Sequence, residues 1–229
     1  MPLVDDEPSI RKLGDAVDGR WVKVVGTVVA CDGELLVAPL TGRRCVAFDA
    51  AIFQYVLEPH PAFDIGSHSG GQLLTRSLRA VPFILEDATG RALVDPRGAF
   101  VRLTIDHQQG GPGERIQHLV VADPSFLPRS RAHEDKRYLE GVLEVGEEVL
   151  VSGLAQTPRV GDTSLYRASA DERVRIAGSA DHPADVTDNR DEVVKAGGSR
   201  GRRLPTAREG AGGQRTRQHV SGRRIPRDD

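Results

Sequence analysis

Val81-Pro82-Phe83-Ile84-Leu85-Glu86-Asp87-Ala88-Thr89-Gly90-Arg91-Ala92-Leu93-Val94-Asp95-Pro96 is the stretch on which the reading of the fold turns. Two apolar runs flank a short polar link that opens with Asp and closes on Gly. Asp and Gly each favour turns, Asp by bonding its own backbone and Gly by tolerating positive φ. Apolar runs bounded in this way read as strands joined in a hairpin. Asp95-Pro96-Arg97-Gly98 then puts Pro and Gly where a type I turn prefers them, and residues 100–105 read as the next strand.

The same punctuation recurs in both directions. Residues 21–29 are largely β-branched, and Val22, Val24 and Val28 share one face at period two. Gly26 in the middle of that run predicts a bulge or sharp bend, as where a sheet curls into a barrel. Asp32-Gly33 predicts a hairpin turn. Pro39-Leu40-Thr41-Gly42-Arg43-Arg44-Cys45-Val46-Ala47-Phe48 is a second turn feeding a strand over residues 44–56, with Val46, Phe48, Ala50 and Ile52 as one apolar set. Residues 57–71 read as a surface loop, 72–78 as a strand, 107–114 as a loop tip and 123–129 as irregular. Residues 131–143 carry Tyr138, Leu139, Val142 and Leu143 at helical spacing and predict a helix that Gly146 ends. Residues 148–154 and 165–176 supply the last strands.

Many short strands with turn signals between them predict a mainly β fold. The expectation is a single β-barrel-like, OB-like domain with one short helix and a disordered C-terminal tail. Its divisions are an N-terminal extension at 1–19, the barrel at 20–177, and an Arg/Gly-rich tail at 178–229 where apolar residues thin out.

Composition narrows the classes. The net charge of −2 gives no global reason to expect a nucleic-acid or membrane-surface partner. Basic residues are almost all Arg, with Lys only at 12, 23, 136 and 195, a skew that fits GC-rich coding and so weakens Arg richness as a sign of phosphate binding. No stretch approaches the ~20 apolar residues that span a bilayer. The acidic start has no apolar signal region, so the chain reads as soluble and cytoplasmic. Cys31 and Cys45 are too few for a disulfide framework. They read as small hydrophobes, with a pair or a reactive thiol as the alternative.

The chemistry motifs are mostly missing. No G-x-x-x-x-G-K-S/T phosphate loop and no G-x-S-x-G elbow occurs. The seven histidines lack zinc-site spacing. Asp106-His107 and Glu86-Asp87 are adjacent titratable pairs. The first points its members to opposite faces of a strand, and a turn explains the second as well as acid–base work does. No cofactor and no metal ligand set is expected. One basic patch remains: Arg43 and Arg44 follow one turn and Arg91 follows another. If the turns share an end of the barrel they form a small basic mouth, where binding is usually built. Solvated arginines at hairpin tips are the simpler reading. The arginines after residue 200 likewise suit either a tail that binds nucleic acid or anionic lipid or a solvated, codon-biased end.

The two turn-bearing runs, followed by Arg137-Tyr138-Leu139-Glu140-Gly141-Val142-Leu143-Glu144-Val145-Gly146-Glu147-Glu148-Val149-Leu150-Val151-Ser152-Gly153, resemble the GIDE family over residues 20–177. Its domain, called BAM or "beside a membrane", is the non-RING β-rich part of GIDE-type E3 ubiquitin ligases and their bacterial relatives. The resemblance implies recognition rather than catalysis, next to membrane helices or a membrane-protein partner. In the ligases catalysis lies in a RING finger that needs about eight Cys/His ligands. Here no cysteine follows Cys45, so the resemblance carries no ligase activity with it. The leading expectation is a non-enzymatic β-barrel module that binds a protein or small ligand. An OB-like nucleic-acid binder assisted by the tail and an enzyme with an unrecognised site are the alternatives.

Overall fold

The computed structural model describes residues 10–31, 35–55, 71–111, 121–127, 136–157, 174–179, 181–197 and 223–225. In chain order the elements are β1 (Trp21–Ala30), β2 (Leu36–Val37), β3 (Arg44–Cys45), β4 (Ala47–Tyr55), β5 (Gly71–Ala80), β6 (Phe83–Asp87), β7 (Gly90–Val94), β8 (Phe100–Arg102), β9 (His107–Gln109), β10 (Lys136–Leu143), β11 (Glu148–Gln156), β12 (Val174–Ala177), β13 (Asp185–Thr187), α1 (Arg190–Lys195) and β14 (Arg223–Arg224).

The stretch at 81–96 forms the β6–β7 hairpin in the register Phe83↔Val94 to Asp87↔Gly90. Asp87 closes its turn by accepting from the Thr89 and Gly90 N–H groups at 2.6 and 3.0 Å, and it also takes the Leu13 N–H at 2.8 Å. Burial alone would raise its pKa, but these bonds and the Thr89 hydroxyl pull it below the usual carboxylate range.

The hairpin is one wall of a closed five-stranded barrel. β1 pairs β6, β6 pairs β7, β7 pairs β12 in parallel, β12 pairs β11, and β11 returns to β1. Closure gives each of these five strands a partner on both sides, as in OB-like barrels, while the sheet continues outward from β11 through β13 and β8. β1 performs it by changing partners: its first part lies on β11, Thr27 is opposite both Glu148 and Glu86, and the end lies on β6. Gly26 sits at this crossing because a Cβ there would lie 2.8 Å from both the Glu86 carbonyl oxygen and Leu85 Cγ. The alternation expected of β1 holds, and Val22, Val24 and Val28 enter the main core with Leu85, Val94, Val151 and Ile176.

Two insertions into the barrel build a second, antiparallel sheet in the order β5-β4-β10-β9. It has its own core of Phe48, Ala50, Ile52, Tyr138 and Val142, and the β2–β3 hairpin adds Ala38, Leu40 and Cys45 to it. This sheet corrects the helix expected over 131–143. Residues 136–143 form strand β10, paired to β4 from Lys136↔Gln54 to Leu143↔Ala47; residues 131–135 lie outside the described ones. All of β10 but Arg137 is buried, so the period-two signature of a one-faced strand is erased and the apolar spacing mimics a helix. Part of the expected loop at 107–114 is also strand, β9, on the far side of β10.

The fold runs past residue 177, where composition suggests it stops. β13 lies between β11 and β8 in the extended sheet. α1 follows, capped by Asn189 Oδ1 accepting from the Asp191 and Glu192 N–H groups at 3.0 and 3.4 Å. Val193 and Ala196 pack on Leu150. Arg102 ties β8 to β13 and α1 through Asp185 at 2.6 Å and Glu192 at 2.8 Å. The one α-helix among the described residues is therefore α1. Of the remaining expected tail, only 223–225 lie within the described residues.

Candidate functional site

The β2–β3 hairpin brings the sequence candidates Arg43 and Arg44 into view. Its strands pair Leu36↔Cys45 and Val37↔Arg44. The link between them closes with the Gly42 N–H donating to the Ala38 carbonyl at 2.9 Å, and Gly42 takes φ +72, a left-handed value that glycine reaches without strain. Alternation then sorts the side chains: Leu36 and Cys45 face the second core, while Val37, 59% exposed, and Arg44 stand outside.

Glu140, fully buried in mid-β10, holds the turn from beneath. Its carboxylate accepts the Leu40 N–H at 2.8 Å, the Thr41 N–H at 3.1 Å and the Thr41 hydroxyl. These donors replace the water that a buried carboxylate loses. Arg43 completes the arrangement. Its guanidinium meets Asp106 in a bidentate pair at 2.7 and 2.6 Å, reaches Glu144 at 3.4 Å, and donates from Nε to the Thr41 hydroxyl at 3.2 Å. Burial works against the arginine's charge, yet the Asp106 bonds and the charges of Asp106, Glu144 and Glu140 raise its pKa further.

The neighbouring groups respond to the same environment. Burial foremost, then Glu140 and Glu144, push the Cys45 thiol up to about 12 against the pull of Arg43. It is protonated at neutral pH, which argues against the reactive-thiol alternative. His107, opposite Glu140 in the β9–β10 register, is pushed below 6.5 by burial, with Arg43 assisting and Glu140 and Asp106 opposing. The Asp106 carboxylate is taken up by the bidentate contact with Arg43, which speaks against an Asp106-His107 acid–base dyad.

Arg91 stands on the barrel wall rather than on the hairpin. It lies opposite Glu86 and reaches it at 3.4 Å. Both side chains are well exposed, and such pairs contribute roughly 0–1 kcal/mol. The shielded Nε of Arg91 has no hydrogen-bond partner among the described residues. Sequence reasoning missed Glu140 and Glu144 as site residues. The usable signal was Glu140 itself, a charge inside the apolar run 138–143, which must find donors once that run is buried.

Other acid groups are tied down in the same manner. Asp49 takes a bidentate contact from Arg76 at 2.9 and 2.5 Å. Asp95 accepts from Arg97 at 2.7 Å and from Arg175, which joins the end of β7 to β12. Among the described residues no group of three His, Cys, Asp or Glu side chains is placed to hold a metal ion, and no helix is long and apolar enough to cross a membrane.

A closed OB-like barrel carrying an inserted sheet and a clamped, outward-facing hairpin defines a β-scaffold class of protein. The GIDE family model, described as E3 ubiquitin ligase, matches residues 62–177, half of the chain, and the chain belongs to that family. The match spans β5 to β12, while β1, which closes the barrel, precedes it. No curated protein and no solved structure matches the chain.

Proposed function

We propose that this chain is a non-enzymatic recognition module of the GIDE type, which binds a protein or small ligand through the outer face of the β2–β3 hairpin. The observation that carries the reading is how the hairpin is held. Glu140, Arg43 and Asp106 fix its turn from inside, while Val37 and Arg44 are presented side by side outside. A preformed surface of this kind loses little conformational entropy on binding. The carboxylates and guanidinium nearby, Glu140, Asp106 and Arg43, are engaged in the clamp, and the two cysteines fall short of a RING's ligand set. A membrane-protein partner is the candidate suggested by the name of the family's domain, "beside a membrane".

Barrel closure gives some support to a second reading, nucleic-acid binding, because OB-like barrels bind strands across their second and third strands. Those are β6 and β7 here. Stacking platforms need exposed aromatics, and the lone aromatic of the two strands, Phe83, is 1% exposed. The protein reading is therefore preferred.

Affinity capture with the wild-type chain, Arg44→Glu and Arg91→Glu tests the face. Loss of a captured partner with Arg44→Glu supports the hairpin, and loss with Arg91→Glu extends the face to the barrel wall. Capture unchanged by both substitutions refutes it. A gel shift at ~50 and ~200 mM salt tests the second reading, since phosphate contacts weaken steeply with salt.

A further inference from the structure

Residues 223–225 return to the barrel sheet from far along the chain. Arg223 and Arg224 form β14 antiparallel to β8, in the register Arg223↔Val101 and Arg224↔Phe100. Ile225 continues the contact by donating its N–H to the Ala99 carbonyl at 2.9 Å and accepting the Gly98 N–H at 3.0 Å. Its side chain is 8% exposed and belongs to the main core with Val101, Leu103 and Val186. The other edge of β8 is occupied by β13. Without residues 223–225, β8 would be the outer strand of this sheet, with unpaired backbone groups beside an apolar seat.

We propose that the outer edge of β8 is a strand-addition site for an extended peptide whose third residue is a branched aliphatic anchor, and that residues 223–225 fill it in cis as a tethered, displaceable occupant. Backbone pairing plus one side-chain seat is the usual design of strand-addition recognition. Two paired residues and one anchor make a small contact, so occupancy depends on the tether. Residues 196–222 lie between α1 and β14 in the sequence, and covalent linkage makes the pairing intramolecular, so a free segment competes against an effective concentration rather than a bulk one. The partner is then a protein whose extended segment matches Arg223-Arg224-Ile225 in pattern and outcompetes it. The inference rests on the reading of the chain as a recognition module, but it uses a different surface from the hairpin.

A fluorescent peptide of residues 219–229 is titrated into the full-length wild-type chain and into full-length Ile225→Asp. Exchange of the Gly98 amide is followed in parallel. The expected result is saturable binding to Ile225→Asp and at least ~10-fold weaker binding to wild type, where the tethered segment competes. A peptide carrying the same Ile→Asp change should not bind. Gly98 exchange should be fast in Ile225→Asp and slow again once the peptide saturates it. The proposal is overturned by no binding to folded Ile225→Asp at ~1 mM peptide, or by equal binding to both chains. It is also overturned by a wild-type dimer that Ile225→Asp dissolves, which would mean that copies exchange tails. If Ile225→Asp does not fold, Ile225→Ala replaces it with the same outcomes. Val37 and Arg44 take no part in this assay, so its failure leaves the hairpin reading standing, and failed capture leaves this one.

Discussion

Glu140 and Leu40 are 100 residues apart in the chain and joined by a 2.8 Å hydrogen bond from the Leu40 N–H to the Glu140 carboxylate. The contact links the turn of the β2–β3 hairpin to the middle of β10. Removing the carboxylate orphans three buried or half-buried donors. Glu140→Ala is expected to cost about 3 kcal/mol in urea unfolding and to speed exchange of the Leu40 and Thr41 amides. Glu140→Gln keeps one acceptor and should cost less. Equal stability of wild type and Glu140→Ala would show that the clamp contributes nothing.

Arg43 and Asp106 form the second half of that clamp, with side chains 18% and 5% exposed. Arg43→Ala and Asp106→Ala should each cost about 3 kcal/mol by leaving a charge without its partner in a dry site. The double variant should fall short of the sum by about 1–3 kcal/mol. Arg43→Lys should recover only part of the loss, because a lysine cannot make the bidentate contact. Additive losses would mean that the pair is not coupled.

His107 and Asp95 make stability fall on acidification in two separate windows. The folded pKa of His107 lies below 6.5, so the unfolded chain binds more protons as pH falls through about 6.5 and stability drops there. Asp95 is held below its ordinary 3.8 by Arg97 and Arg175 despite its burial, so its contribution is present above about 4 and is lost as pH falls through the folded value. His107→Gln should flatten the first limb of a stability–pH curve and Asp95→Asn the second. A curve unchanged below pH 7 in both variants would contradict these assignments.

Gly141 lies where a Cβ would come within 2.6 Å of the Thr104 carbonyl oxygen. That neighbour is backbone and cannot rotate away, so Gly141→Ala is expected to cost about 2–3 kcal/mol through overpacking. Gly146→Ala is the contrast: its φ is +90 but its surroundings are open, so only backbone strain of roughly 1–2 kcal/mol applies. Thermal unfolding of both separates the two causes. A harmless Gly141→Ala would show that β10 and the 103–104 segment can move apart.

Truncation after residue 177 removes β13 from between β11 and β8, together with α1 and the partners of Arg102. The truncated chain should lose cooperative unfolding or aggregate through its newly exposed sheet edge. A truncation that unfolds like the full chain would place the domain boundary where the composition alone suggests it.

Strands are legible in the sequence where alternation or local turn chemistry marks them. In β1 alternation was visible because Val22, Val24 and Val28 are buried while their neighbours are only partly so. In the β6–β7 hairpin the Asp87–Gly90 turn was visible because its chemistry is local. β10 reads as a helix because it is buried at every residue but Arg137, and full burial removes the period that separates strand from helix. Gly141 was a local objection to the helix, since glycine costs helices stability, but its reason is the approach of Thr104, distant in sequence. β13 and α1, which follow residue 178, are not legible in the sequence because they are short and polar and are held by their packing and pairing on β11 and β8.

The same division applies to the candidate site. The sequence by itself determined a mainly β chain, the turns at 38–43 and 87–90, the buried alternation of β1 and the family, because these reside in local turn chemistry, short-range periodicity and ordered motifs; the strand expected to follow an Asp32-Gly33 hairpin pairs β3 instead of β1. Tertiary structure decided that Arg43 belongs to Asp106 and Glu144, that Glu140 supports a turn 100 residues away, and that Ile225 seats beside β8. Those outcomes depend on which strands meet when the barrel closes, and a buried charge or an open sheet edge takes its partner only from what closure brings beside it.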